Sequence, residues 1–102
     1  MRFLAQITIP NDAGNTGLLD GSLLGKIQRY IEEVKPEAVY AAAEGQRTLF
    51  MILNIESSDR IPELLEPLWI DLEADVHLVP VLNAEEFARA QAGIERVVKA
   101  RQ

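Results

Sequence analysis

The chain has 102 residues, a formal net charge of −6, and 48% hydrophobic and 25% charged residues, which is ordinary for one folded domain spanning residues 1–102. It contains no cysteine, which excludes disulfides, thiolate nucleophiles and Cys-rich zinc sites. Its ten basic residues are scattered, and we expect no nucleic acid partner because phosphate neutralisation needs clustered Lys and Arg.

The first half of the chain predicts a strand, a loop and a helix. Alternation over Phe3–Ile9 is typical of a strand, and Pro10 ends it. Asn11–Gly17 consists of turn formers and predicts a loop, either lying across the mouth of a cleft or forming an ordinary surface connection. A helix follows, capped by Asp20 or Ser22 and closed by Pro36. Its apolar face comprises Leu23, Leu24, Ile27, Tyr30, Ile31 and Val34.

The middle of the chain predicts a hairpin and a short helix. Glu37–Ala43 and Arg47–Glu56 form two antiparallel strands around a turn at Glu44-Gly45, where glycine would supply a positive φ. The second helix is capped by Ser58 or Asp59, and we expect Pro67 to end it.

The last third predicts a strand and a third helix. Ala74–Leu82 alternates, and Asn83 with Glu86 resembles a capping box. The helix after it carries an apolar face of Phe87, Ala90, Ile94, Val97 and Val98. The order β-α-β-β-α-β plus a C-terminal helix predicts an α+β, ferredoxin-like split βαβ fold with a four-stranded antiparallel sheet.

The third predicted strand indicates a homodimer. Both faces of Leu49–Ile55 are apolar, although the helices of this topology cover only one face of the sheet. A second copy packed face to face about a two-fold axis would cover the other face. The alternative is that the third helix folds over that face.

Two stretches resemble known small proteins. Glu66–Pro80 is similar to the segment joining the second helix to the last strand in the dimeric α/β-barrel superfamily, and Gly45–Ser58 is also similar. The resemblance is to muconolactone-isomerase-like and YciI-like families. Glu66-Pro67 stands where the YciI-like pattern has Asp-Pro, and the histidine of that pattern near the first helix has no counterpart here. This resemblance implies two ferredoxin-like sheets paired into a dimeric α/β barrel with a central cleft.

Strand parity selects four candidate ligand-binding residues: Gln6, Thr8, Asn54 and His77. All four are expected on the sheet face turned away from the helices. Polar groups within an otherwise apolar barrel are typical of a small-ligand pocket. The alternative is that each is a polar residue hydrogen-bonded to its neighbours or to water. The face of Tyr40 stays open because it depends on the hairpin register.

His77 is the only histidine and the one candidate catalytic residue. An imidazole facing the barrel can act as acid or base near neutral pH, whereas the alternative is an inert strand residue. One histidine cannot build a multi-histidine metal site within one chain, and we predict no metal and no cofactor.

Two function classes remain from the sequence. The first is a small-molecule-binding enzyme, a cofactor-free isomerase or proton-transfer catalyst acting on a small organic acid or lactone. The second is a non-catalytic homodimer that binds a metabolite or a protein. The run Met1–Ile7 fits neither a signal peptide nor a membrane span, so we expect a cytoplasmic location and no membrane partner.

Overall fold

A computed structural model describes all residues from 1 to 102. The elements in chain order are β1 Arg2–Ile9, α1 Asn11–Leu19, α2 Leu23–Val34, β2 Ala38–Ala43, β3 Arg47–Asn54, α3 Ile61–Leu72, β4 Asp75–Pro80 and α4 Ala84–Ala100. A 3₁₀ turn, Ser58–Arg60, leads into α3. The four strands form one antiparallel sheet in the order β2-β3-β1-β4. The chain is therefore of the α+β class and compatible with a ferredoxin-like fold. No helix is both long and apolar enough to cross a membrane.

The hydrophobic core lies between one face of the sheet and the helices α2 and α3. Alternate residues of β1 and β3 point into it, as strand geometry requires. Burying a large aliphatic side chain contributes about 2 kcal/mol, so this layer supplies most of the stabilisation. The core consists of Ala5, Ile7, Ile9, Leu23, Tyr30, Met51, Leu53, Ile55, Leu65, Leu68, Leu72 and Ala74.

The predicted loop at Asn11–Gly17 is wrong, because this segment lies within helix α1. Its two glycines, Gly14 and Gly17, are buried rather than placed at turns. A Cβ atom at Gly17 would lie only 2.9 Å from the Cβ of Leu23 in α2. Gly17 thus permits close approach of two helices, which composition alone does not distinguish from turn flexibility.

The predicted end of the second helix at Pro67 is also wrong. Pro67 lies inside α3, which continues to Leu72 and ends at Glu73 in the left-handed region. An interior proline costs a helix about 3 kcal/mol. Burial of Leu68 and Leu72 after it offsets a cost of that size.

The antiparallel pair of β2 and β3 is confirmed, but the conformation predicted for its turn is wrong. Ala43 pairs with Arg47, so three residues form the turn. Gly45 does not have a positive φ; Gly21, between α1 and α2, is the glycine that does, at 82°. The left-handed geometry therefore serves the helix connection rather than the hairpin.

The capping box of the C-terminal helix is confirmed. The Asn83 side chain accepts a hydrogen bond from the Glu86 N–H at 2.8 Å, and the Glu86 carboxylate accepts one from the Asn83 N–H at 2.9 Å. Glu86 also pairs with Arg2 of β1. The Asn83 N–H, followed by Arg2, lowers the pKa of Glu86 below its usual value. These contacts attach the first turn of α4 to the sheet.

Helix α4 projects away from the rest of the chain, so the alternative in which it folds over the sheet is wrong for a single copy. None of its residues is buried. The radius of gyration is 17.2 Å, whereas a domain of this length has about 13 Å. The chain measures 60 × 27 × 20 Å, which reflects this projecting helix.

Candidate functional site

The face of the sheet opposite α2 and α3, which we call the open face, carries the candidate site. Paired residues in adjacent antiparallel strands share a face, so the register defines its members. They are Arg2, Leu4, Gln6, Thr8, Ala38, Tyr40, Ala42, Thr48, Phe50, Ile52, Asn54, Asp75, His77 and Val79. No helix covers this face, and the polar residues stand among apolar ones.

His77 and Gln6 stand side by side on the open face. The register pairs Gln6 of β1 with His77 of β4 on one side and with Phe50 of β3 on the other. Phe50 in turn pairs with Tyr40 of β2. These four residues form one row across the sheet, with about 5 Å between neighbours. The face of Tyr40, which the sequence left open, is therefore the open face.

The next row along the strands adds a carboxylate and a hydroxyl. Thr8 pairs with Asp75 on one side and with Thr48 on the other. The Asp75 Oδ2 atom lies 3.8 Å from Nε2 of His77. The His77 side chain is 70% exposed, so a ligand on the open face can reach it. An imidazole, an amide, a hydroxyl and a carboxylate thus occur within two adjacent rows.

Asn54 lies apart from the other three predicted ligand-binding residues. It pairs with Arg2 at the end of β1, four residues from Gln6, which is about 13 Å along a strand. Its Oδ1 atom accepts a hydrogen bond from the N-terminal ammonium of Met1 at 3.4 Å. The structure therefore brings Gln6, Thr8 and His77 together and leaves Asn54 at the edge.

Arg2, beside Asn54, is held by two carboxylates. It pairs with Glu37 on one side and with Glu86 on the other. The hydrogen bond to Glu37, with the charges of both carboxylates, raises the pKa of Arg2. Because both partners belong to the chain itself, this end of the open face is occupied by structural ion pairs.

The sequence interpretation missed Asp75 and Phe50 as residues of the site, and it left the face of Tyr40 open. Asp75 shares the parity of His77 two residues later, so alternation alone indicated it. Phe50 joins the row through the register of β1 and β3, and Tyr40 joins it through the register of β2 and β3. No three His, Asp or Glu side chains converge in a metal-binding cluster.

A second feature is an apolar cleft of about 360 Å³ beside the β2–β3 turn, which we call the hairpin cleft. Residues from β2, β3, α1 and α2 form its walls, and Arg47 is its one charged lining residue. The guanidinium of Arg47 donates a hydrogen bond to Asn15 of α1 at 3.1 Å. The apolar lining comprises Ile9, Leu18, Leu23, Leu24, Ile27, Ala41, Ala42, Ala43 and Leu49.

In comparisons with known proteins, no family model matches the chain and no curated protein matches it. The similarity to muconolactone-isomerase-like and YciI-like proteins has no support from these comparisons. The open face and the residues on it are therefore the features that bear on the function of this chain.

Proposed function

We propose that this chain forms a homodimer in which two copies pair their open faces as a dimeric α/β barrel, and that a small organic acid binds between them. The observation that carries this proposal is the register of β1 and β4. It sets the only histidine, His77, beside Gln6 on a sheet face that no helix covers.

The apolar residues around this pair support a covered state of the open face. Leu4, Phe50 and Ile52 are half-buried, whereas Tyr40 is 69% exposed and Val79 is exposed as well. Contiguous apolar surface of this kind is typical of interaction sites. A second copy supplies a matching surface because a two-fold interface uses the same patch on both partners.

The solvent-accessible surface area of the chain also supports pairing with a second copy. The chain exposes 7111 Å², whereas a folded monomer of 11.4 kDa exposes about 5,800 Å². Two copies together therefore expose about 2,600 Å² more than two compact monomers would, and an obligate homodimer buries surface of this order.

The chemistry of the two polar rows favours an organic acid as the ligand. The Gln6 amide and the Thr8 hydroxyl can donate hydrogen bonds to a carboxylate, and a protonated His77 can pair with it. Apolar neighbours such as Leu4 and Phe50 suit the carbon skeleton of the ligand. A few polar groups within an apolar lining are the usual composition of a small-molecule pocket.

Proton transfer is the second candidate function, and the contact between Asp75 and His77 favours it. A carboxylate that comes within hydrogen-bond distance of an imidazole can hold the ring in one orientation while the ring acts as acid or base. His77 would take a proton from one position of the bound acid and return it to another. This is an isomerisation that needs no cofactor.

Ligand screening against two variants tests the proposed pocket. We expect His77→Leu and Gln6→Leu to weaken binding of organic acids found by screening, with unchanged circular dichroism. Asn54→Leu is the matched control, because Asn54 lies outside the two rows, and it should bind as the wild type does. Equal binding by His77→Leu and the wild type would refute the pocket. If His77→Gln still binds the organic acid but no longer converts it, the result would favour the proton-transfer enzyme over the non-catalytic binding protein.

A further inference from the structure

Helix α4 carries an apolar stripe that has no partner within its own chain. Phe87, Ile94, Val97 and Val98 follow one another at helical spacing and are about half-exposed. The opposite side carries charged residues such as Arg96. Helices in proteins gain most of their stability from packing of their apolar face rather than from helix propensity. Packing of this stripe against another apolar surface is therefore needed to stabilise α4.

The hairpin cleft is an unfilled apolar surface of the same chain. It offers about 360 Å³, and its wall residue Leu24 is 67% exposed. Small side chains at Ala41 and Ala43 let another backbone approach the strand. Grooves of this kind receive amphipathic helices through anchors at positions i, i+3, i+4 and i+7.

The stripe of α4 does not reach the cleft of its own chain. The pair of Glu86 with Arg2 holds the first turn of α4 at the start of β1. The cleft lies at the other end of β1, beside Ile9, which is about 23 Å away along the strand. From its attachment, α4 runs away from the sheet and accounts for the 60 Å dimension.

We infer that α4 is an exchanged arm whose apolar stripe docks in the hairpin cleft of a second copy. The exchange is reciprocal, as a two-fold interface requires, so each copy both provides a helix and receives one. It adds the stripe and the cleft to the surface buried in the dimer, consistent with the excess area of two copies. The inference rests on the homodimer of the proposed function.

Cysteine cross-linking tests the arm on a background without native cysteines. Chains carrying Leu24→Cys are mixed with chains of a different mass carrying Ile94→Cys or Val97→Cys, and the mixture is oxidised. We expect a covalent species containing one chain of each mass, because a disulfide forms only between residues whose Cα atoms are within about 7 Å. Ala92→Cys, on the opposite side of α4, is the matched control and should give no cross-link to Leu24→Cys.

Dissociation measurements give a second readout. We expect Ile94→Glu to weaken the dimer at least about tenfold by sedimentation, with the core intact because α4 contributes nothing to it. Arg96→Glu, on the polar side of the helix, should leave dimer affinity unchanged. A dimer without the cross-link, or one that Ile94→Glu leaves intact, would overturn the arm while the homodimer stands. A monomeric wild type would overturn both.

Discussion

Replacing Gly17 by alanine tests the packing of α1 against α2. The added Cβ would lie 2.9 Å from the Cβ of Leu23, well inside the optimal separation of about 3.5 to 4.0 Å between carbon atoms. Leu23 is a core residue and cannot move without disturbing its neighbours. Overpacking of this kind costs about 1 to 3 kcal/mol. Alanine gains about 1 kcal/mol over glycine in a helix, so we expect a net loss of about 1 kcal/mol.

Gly25→Ala is the matched control. Gly25 lies in α2, and a Cβ there would meet no atom within 4 Å. The variant should gain about 0.5 to 1 kcal/mol from helix propensity alone. Relative to the wild type, Gly17→Ala should lower the free energy of unfolding and Gly25→Ala should raise it, so that the two variants differ by about 2 kcal/mol.

Urea unfolding followed by circular dichroism measures this difference. All variants are compared at one protein concentration, because the apparent stability of a dimer depends on it. If Gly17→Ala stabilises the protein as much as Gly25→Ala does, α1 does not pack against Leu23. The segment would then be helical without the close contact that Gly17 makes with Leu23 in the structure.

Three further predictions concern single residues. The Tyr30 hydroxyl donates to the Leu64 carbonyl at 2.8 Å, so Tyr30→Phe should cost about 1 kcal/mol at pH 7. Burial raises the pKa of Tyr30 from 10.0 to about 12. The contribution of Tyr30 to the free energy of unfolding is therefore complete below pH 10 and is lost as the pH rises through 12. Unfolding measured at pH 7 and at pH 11 should show this loss in the wild type and not in Tyr30→Phe. The pKa of Glu86 is lowered in the fold, so its ionised carboxylate stabilises the protein above pH 4.5, and this stabilisation is lost as the pH falls through the lowered pKa. The difference in unfolding free energy between the wild type and Glu86→Gln should therefore disappear in acid. A difference that stays constant with pH would contradict a role for the charge of Glu86. Ile52→Asp places a charge on the open face and should give monomers by sedimentation, whereas an unchanged dimer would contradict pairing through that face.

The sequence by itself determined the features that depend on a few adjacent residues. Alternation identified β1 and the faces of its side chains, because the period of a strand is a property of the backbone. The sequence also predicted the capping box of Asn83 and Glu86, because both of its hydrogen bonds join residues that are three positions apart. The apolar face predicted for α2 is present in part: Leu23 and Tyr30 are buried, while Leu24 is exposed.

Only the tertiary structure decided the roles of residues whose environment comes from distant segments. Gly17 is a helix residue because Leu23 packs against it, and Pro67 stays inside α3 because Leu68 and Leu72 after it are buried. In both cases local propensity points to a break in the helix, but burial outweighs a preference of about 1 to 3 kcal/mol.

In the candidate site too, the sequence determined one property of each residue and the tertiary structure determined another. Parity placed Gln6, Thr8, Asn54 and His77 on one face, and the register of the strands agrees with that placement. Sliding two strands by two residues keeps every side chain on its face, so parity cannot determine which residues become neighbours. Packing of β1 between β3 and β4 selects the one register that sets Gln6 beside His77 and leaves Asn54 about 13 Å along the strand from that pair.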